Sequence, residues 1–177
     1  DRITGELGYY KNNIDGLILS VPQATSTGIP DSSILTNIGS MNNTGYEVTL
    51  NAKILSEGAF KWNASVNITT QKNVVTALDA NNSDIIVLTS LEKTNIIRVG
   101  ESIGNFFIVQ TGGVNPANGR RIFYYGDGTA VQYDHSAPVA SRWTKVIDGS
   151  VTRAANQAVD AKVSGPALPT YFGGLSN

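Results

Sequence analysis

Few residues in this chain have a type and spacing suited to catalysis or metal binding. His135 is the single histidine among 177 residues, and there is no cysteine. A lone imidazole gives little support for a transition-metal site or a catalytic triad. The lack of cysteine removes thiol chemistry, disulfides and cysteine-ligated metals. The sequence therefore predicts no catalytic residue, no metal site and no cofactor.

Acidic and hydroxyl side chains lead to the same expectation. Asp127, Asp134 and Asp148 are not spaced like the ligands of an EF-hand, and an Asp-Gly pair is typical of a turn. Serine and threonine are abundant, but we expect no nucleophile elbow, including at residues 100–104. An extracellular β-class hydrolase has no acid, base or nucleophile constellation to support it.

Charge and hydropathy exclude two further classes of protein. Lys and Arg total 13 against 14 Asp and Glu, and no basic run of five residues occurs, so nucleic-acid binding has no electrostatic support. No stretch approaches 18 consecutive apolar residues, the length needed for a transmembrane helix. Transmembrane β-strands need only about 9–11 alternating residues, so a membrane location stays open.

The strongest structural pattern spans residues 46–68. Apolar side chains occupy every second position of two runs, residues 46–54 and 60–68, and polar side chains lie between them. This period of two predicts two strands, and residues 56–59 predict the turn of a hairpin. A similar alternation in residues 2–9 is expected to lapse at residues 11–15 and to resume at residues 17–21.

The rest of the chain is less regular. Residues 21–31 predict a loop by their Pro, Gly, Ser and Thr content. Residues 78–170 predict one long, partly structured excursion with short apolar strands and Gly-rich turns, and residues 153–159 are the only candidate for a short helix. The fold class predicted from these elements is all-β with antiparallel strands.

Two architectures explain the alternation. A soluble β-sandwich would bury the apolar face, and a membrane barrel would expose it to lipid. Aromatic residues near the strand ends and alternating short and long connections favour the barrel. Because an open sheet cannot satisfy its backbone in lipid, we expect the polypeptide to continue beyond both ends of this sequence.

Several stretches resemble the C-terminal part of SusC/RagA-family TonB-dependent transporters. The most specific is residues 37–47, which fit the family pattern N-x-G-x-x-x-N-x-G-x-E. The other matching stretches, in chain order, are residues 15–22, 62–73, 100–107, 125–134 and 165–177. Residues 140–163 match no element of the family that we can name.

The resemblance implies part of a transmembrane β-barrel of about 22 strands with a plugged lumen, in the bacterial outer membrane. It also implies energy from the TonB complex through upstream parts of the chain, a SusD-like surface lipoprotein as partner, and oligosaccharide or peptide cargo. In this scheme residues 1–77 are barrel strands with one extracellular loop, residues 78–170 form an extracellular loop region, and residues 171–177 begin the next strand.

Aromatic side chains of the long loop region are the candidate contacts for cargo or for a lipoprotein lid. They are Phe106, Phe107, Tyr124, Tyr125, Tyr133 and Trp143. Stacking on sugar rings is one interpretation of them, and a small core within the loop region is the interpretation we favour. The alternative function is a secreted, soluble β-sandwich that acts as a carbohydrate-binding or adhesion module.

Overall fold

The computed structural model describes residues 1–30, 33–89 and 92–177. The helical elements in these ranges include two 3₁₀ turns, Thr25–Thr27 and Val139–Ser141, and one four-residue helix, α1 (Gln157–Asp160). No helix in these ranges is long and apolar enough to cross a membrane. The strands are β1 (Ile3–Asp15), β2 (Ile18–Pro22), β3 (Ser33–Asn37), β4 (Ser40–Leu55), β5 (Trp62–Ala77), β6 (Ile85–Thr89), β7 (Glu92–Ile97), β8 (Asn105–Val109), β9 (Thr111–Val114), β10 (Arg121–Tyr124), β11 (Ala130–Tyr133), β12 (Trp143–Lys145), β13 (Ala161–Val163) and β14 (Tyr171–Ser176).

The chain forms two compact units. The first contains residues 1–85, 97–103 and 166–177, and the second contains residues 86–96 and 104–165. The first unit is built on an antiparallel sheet in the order β1-β4-β5-β14. The hairpin predicted at residues 46–68 is confirmed, since β4 pairs with β5 and Gly58 adopts a φ of 92° in the connection between them.

The alternation lapses at residues 11–15, but the strand does not end there. Strand β1 continues to Asp15 and stays paired with β4, where Asn12 faces Asn43 and Asp15 faces Ser40. Backbone hydrogen bonds hold a strand together whatever its side chains are, whereas alternation is required only where the two faces meet different surroundings. The alternation ends where the two faces no longer meet different surroundings, but the strand continues to Asp15.

Two glycines mark the point where the β1–β4 hairpin changes direction. Gly16 and Gly39 have positive φ values of 74° and 85°, and the N–H groups of Gly16 and Leu17 both donate to the Gly39 carbonyl, at 2.9 and 3.1 Å. A Cβ on Gly39 would lie 2.9 Å from the Ala77 carbonyl oxygen. Beyond this bend the hairpin continues as β2 paired with β3.

A small core lies beyond the bend, within the first unit. Its buried members are Leu19, Val75, Leu78, Ile85 and Ile97. The turn at residues 78–83 begins at the core residue Leu78, and the Asp79 carboxylate accepts from the N–H groups of Asn81 and Ser83 at 3.1 and 2.7 Å. Apolar burial in this unit is thus concentrated at one end of the sheet.

A strap of residues 98–103 is held against β5. Val75 donates to the Glu101 carbonyl at 2.9 Å, and Gly100 donates to the Val75 carbonyl at 2.8 Å. The Asn73 side chain accepts from Ile103 N–H at 2.8 Å and donates to the Asn43 amide oxygen. Arg98 also forms a two-point ion pair with Asp84, and this guanidinium holds the pKa of Asp84 below its usual range.

The second unit contains a four-stranded antiparallel sheet in the order β12-β11-β10-β9, and strands β7, β8 and β13. The turn predicted at residues 125–129 joins β10 to β11. The helix predicted within residues 153–159 is confined to Gln157–Asp160. It begins there because the Asn156 side chain caps it, accepting from Ala158 N–H at 2.8 Å.

Candidate functional site

The two faces of the β1-β4-β5-β14 sheet differ in chemistry. One face, here called the apolar face, carries Leu7 opposite Val48 and Val48 opposite Ile68, with Leu50 opposite Val66 one step along. Val48, Leu50, Ile68 and Leu7 are 39% to 75% exposed, and Val66 is half-buried. A soluble sheet would bury such a face, and a continuous exposed face of this kind marks contact with a partner or with lipid.

Aromatic residues border the apolar face at both ends. Tyr9 and Tyr46 are direct partners with ring centroids 5.1 Å apart, and Tyr171 lies in the same row, one strand beyond Thr70. At the other end Trp62 faces Leu55 and is 40% exposed. The two rows are about nine residues apart, or roughly 31 Å along the strand. At a strand tilt of about 40° the height is roughly 23 Å, close to the apolar band of an outer-membrane barrel.

The opposite face of the sheet is polar. Along β4 it carries Glu47, Thr49, Asn51 and Lys53, and neighbouring strands add small polar residues in register. The Ser65 hydroxyl donates to the Asn51 amide oxygen at 2.7 Å. This face has the composition expected of a barrel interior.

Gly45 is the second glycine of the family pattern at residues 37–47. It pairs with Tyr10, whose ring lies across it on the polar face. A Cβ on Gly45 would lie 2.5 Å from that ring and 2.2 Å from the Thr70 carbonyl oxygen. Glycine is therefore required here by close approach, and its backbone has no positive φ.

The six predicted aromatic contacts all lie in the second unit, in different environments. Phe106 is 42% exposed, and Phe107, Tyr124, Tyr133 and Trp143 are half-buried. Tyr124 packs its ring against Gly112 of the neighbouring strand. Tyr125 is 6% exposed, and its hydroxyl lies 2.9 Å from the Thr152 hydroxyl and donates to the Arg153 carbonyl.

Four rings form a row along one face of the β9–β12 sheet. Trp143 lies between Phe123 and Tyr133, with centroid distances of 5.4 and 5.2 Å, and Tyr133 is followed by His135 at 6.5 Å. The rings are tilted by 51° to 56°. At these distances and angles, neighbouring rings in the row contact one another in tilted pairs.

A buried ion pair that the sequence did not reveal fixes the end of the second unit. The Asp160 side chain is fully buried and accepts from Arg153 Nη1 and Nη2 at 2.6 and 2.7 Å. It also accepts from the N–H groups of Gly126 and Asn156, at 3.0 and 2.9 Å. These donors hold the pKa of Asp160 well below its usual range, the Arg153 guanidinium contributing most. Arg153 in turn lies 3.9 Å from the Tyr125 ring centroid.

Asp127, Asp134 and Asp148 each accept from a backbone N–H of their own turn, and Asp134 also forms an ion pair with Arg120. Asp127 accepts from Thr129 N–H at 2.8 Å, Asp134 from Ser136 N–H at 2.9 Å, and Asp148 from Ser150 N–H at 2.9 Å. The backbone bond from Thr129 holds the pKa of Asp127 below its usual range. In the described ranges no group of three His, Cys, Asp or Glu residues is arranged to hold a metal ion. Asx turns are what these carboxylates form.

Residues 100–104 do have the spacing G-x-S-x-G, which the expectation of no nucleophile elbow overlooked. A nucleophile elbow joins a strand to a helix and exposes its serine at that turn. Here the segment joins β7 to β8, and its backbone belongs to the strap on β5. The motif is hydrogen-bonded to β5 as part of the strap, and it does not have the geometry of a nucleophile elbow.

Comparison with known proteins identifies the sheet. The family model described as the β-barrel of TonB-dependent receptor-like proteins matches residues 1–167. The chain belongs to this family. The apolar face of the receptor segment is therefore the lipid-facing surface of an outer-membrane barrel wall, and the polar face is its interior surface.

Two curated relatives are receptors of the same kind. A TonB-dependent receptor of Formosa agariphila is 26% identical over all of this chain and 17% of its own length. The TonB-dependent receptor SusC of Bacteroides thetaiotaomicron is 31% identical over 68% of this chain and 13% of its own length. The receptor segment thus spans about a sixth of the relatives that it matches.

Solved structures agree with the fold. The RagAB peptide transporter aligns with 98% of this chain at a TM-score of 0.66 and 18% identity, and the alignment covers 17% of that chain. The same importer in its open-open state aligns equally well, at a TM-score of 0.66. The SusC/RagA resemblance and the partial-barrel fold are confirmed by these matches, and the soluble β-sandwich is not supported.

Proposed function

We propose that this segment forms part of the wall and outer rim of a TonB-dependent transporter that imports nutrients across the outer membrane. The observation that carries the proposal is the four-stranded sheet with an exposed apolar face, a polar interior face and tyrosines at one border. Import of oligosaccharides or peptides, energy from the TonB complex and a SusD-like lipoprotein lid belong to the same proposal. SusC and RagAB relatives support it.

The structured loop region is proposed to meet cargo or the lid on the outer side. The short β4–β5 turn is then periplasmic, and the bent β2–β3 hairpin is external, because outer-membrane barrels have short periplasmic turns and long external loops. Phe106, Phe107, Tyr124, Tyr133 and Trp143 are the proposed direct contacts. Tyr125 is buried, so its contribution is to hold the loop in shape.

A loop-shortening variant of the full-length receptor tests this role. Val109 of β8 pairs with Ala161 of β13, so a two-residue Asn-Gly turn can replace residues 110–160 and leave that pair joined as a hairpin. We expect this variant to insert in the outer membrane and to lose both growth on the cargo and retention of the lipoprotein. Unchanged import with a correctly inserted barrel would remove the loop region from the mechanism.

A second variant addresses the case in which the shortened receptor does not insert. Phe106→Ser with Trp143→Ser removes two of the proposed contacts and leaves the Asp160 ion pair in place. We expect weaker cargo or lipoprotein binding from a normally inserted receptor. Val139→Ser, a 78% exposed apolar residue outside the proposed contact set, is the matched control.

A further inference from the structure

Two lysines and a threonine share one row of the apolar face, directly beyond the tyrosine row. Thr44 of β4 pairs with Lys11 of β1 on one side and with Lys72 of β5 on the other. All three lie two residues past Tyr9 and Tyr46, which places them on the same face about 7 Å further along the strands. The two lysines are two strands apart, or about 10 Å between their backbones.

These lysines are the first charges met along that face. Between the short turn and the tyrosine row, every position on the apolar face of the four strands is apolar, glycine or threonine. Both lysines are exposed, and in the described part of the chain neither ammonium group has a hydrogen bond or an ion pair. The neighbours in the next row are Asn13, Asn42 and Val74, and the first carboxylate on the face is Asp15.

The position of the row determines what it can meet. The side chains point toward lipid, at the border where the hydrocarbon band ends and the polar headgroups begin. A lysine there extends its apolar stem along the sheet and holds its ammonium group at headgroup level. Phosphate is the anion that membrane lipids present at this level, and two lysines with a threonine hydroxyl supply donors for it.

We propose that Lys11, Thr44 and Lys72 form a binding site for the phosphate groups of an outer-leaflet lipid. The placement in the outer leaflet rests on the proposed orientation of the barrel, with the β4–β5 turn in the periplasm. The tyrosine row supports the bound lipid from below, since tyrosine rings pack along acyl chains and keep their hydroxyls in the interface. The site ties the external end of this wall to the membrane surface.

Binding of a phosphorylated lipid to the purified full-length receptor tests the proposal. The receptor is delipidated in detergent and titrated with bisphosphorylated lipid A, with the same lipid after phosphatase treatment, and with inorganic phosphate alone. The test variant is Lys11→Gln with Lys72→Gln. The control is Lys53→Gln with Lys61→Gln, which removes the same charge from the polar face of β4 and from the residue before β5, outside the lysine row.

We expect the wild type and the control to bind the phosphorylated lipid alike, and the test variant to bind it about 25-fold more weakly, since each lysine near an anionic lipid surface contributes a factor of about five. Removal of the lipid phosphates should produce a similar loss in the wild type. Equal binding by the test variant, an equal loss in the control, or full displacement by inorganic phosphate would overturn the lipid site. None of these results depends on import, so the loop-shortening variant tests the transport proposal separately.

Discussion

At the residue scale, the second unit depends on one buried carboxylate. Asp160 has no exposed side-chain surface, yet it is ionised, because a guanidinium and two backbone amides donate to it. Burying a charge is costly unless it is paired and hydrogen-bonded in this way. The pair links residue 126 of the β10–β11 turn to the helix at residues 157–160, which are far apart in the sequence.

Asp160→Asn is expected to loosen this link. The amide cannot accept from all four donors, and we estimate a loss of about 2 kcal/mol, discounted because Arg153 is half exposed. Hydrogen exchange followed by mass spectrometry should show roughly thirtyfold faster exchange in peptides that contain Gly126 and Asn156, with β4 and β5 unchanged. Asp148→Asn, in an exposed turn, is the control and should leave the exchange of these peptides unaltered.

The pH dependence of the same link follows from the lowered pKa of Asp160. Its stabilising contribution is complete above the unfolded value of about 3.9 and is lost only as the pH falls below that toward the folded value. After correction for intrinsic exchange, the wild-type protection of Gly126 should therefore be equal at pH 5 and pH 7. A loss of protection between these values would assign the link to another group.

A substitution at Gly45 tests the close approach of β4 to its two neighbouring strands. Gly45→Ala places a methyl group against the Tyr10 ring of β1 and the Thr70 carbonyl of β5. Strand β4 must therefore move away from these neighbours, at a cost of about 1–3 kcal/mol. The folded barrel should unfold at a lower temperature in a heat-modifiability gel. Gly8→Ala, on the same face but with its nearest contact at 3.7 Å, is the matched control and should unfold like the wild type.

At the element scale, the strands show what the sequence could and could not predict. The β4–β5 hairpin was predictable because lipid on one face and a polar interior on the other impose a period of two. The end of β1 was not predictable, because the alternation stops at Tyr9 and Tyr46 while the backbone pairing continues. The lysine row was missed for the same reason, since Lys11 and Lys72 come together only through their common partner Thr44.

The loop region was less predictable for a related physical reason. Its short strands have three to six residues, too few to show a period, and its central ion pair joins residues that carry no local signal. Asp127 and Asp148 were predictable as turn residues because an Asx turn is a local interaction. The hydrogen bond from Gly126 N–H to Asp160, 34 residues further along the chain, requires the fold itself.

Substitutions at two adjacent positions of β4 test which face of the sheet meets lipid. Leu50 lies near the middle of the apolar band, and Thr49 lies on the interior face. Leu50→Lys should destabilise the inserted barrel by about 2–4 kcal/mol, because a charge at the bilayer midplane loses its hydration, whereas Thr49→Lys should have little effect. The amount of folded receptor in isolated outer membranes measures both. Equal amounts for the two variants would contradict the assignment of the faces.

At the scale of the whole molecule, the two ends of the barrel sheet are unequal. Among the described residues, one end has the short β4–β5 connection, and the other carries the bent β2–β3 hairpin, the core around Val75 and the strap on β5. In a membrane, this inequality means that one leaflet meets a compact rim and the other meets structured loops. The orientation decides which leaflet contacts the lysine row, and so it is the property on which the lipid proposal depends.

Surface labelling of single cysteines determines that orientation. This segment has no native cysteine, so Ser26→Cys in the β2–β3 hairpin and Glu57→Cys in the β4–β5 turn can each be introduced into a receptor that is otherwise cysteine-free. Both positions are exposed, so access depends on the membrane alone. A maleimide that cannot cross the outer membrane should label residue 26 in intact cells and residue 57 only after the outer membrane is permeabilised. The reverse result would place the lysine row in the inner leaflet and the loop region in the periplasm, which is incompatible with contact to a surface lipoprotein.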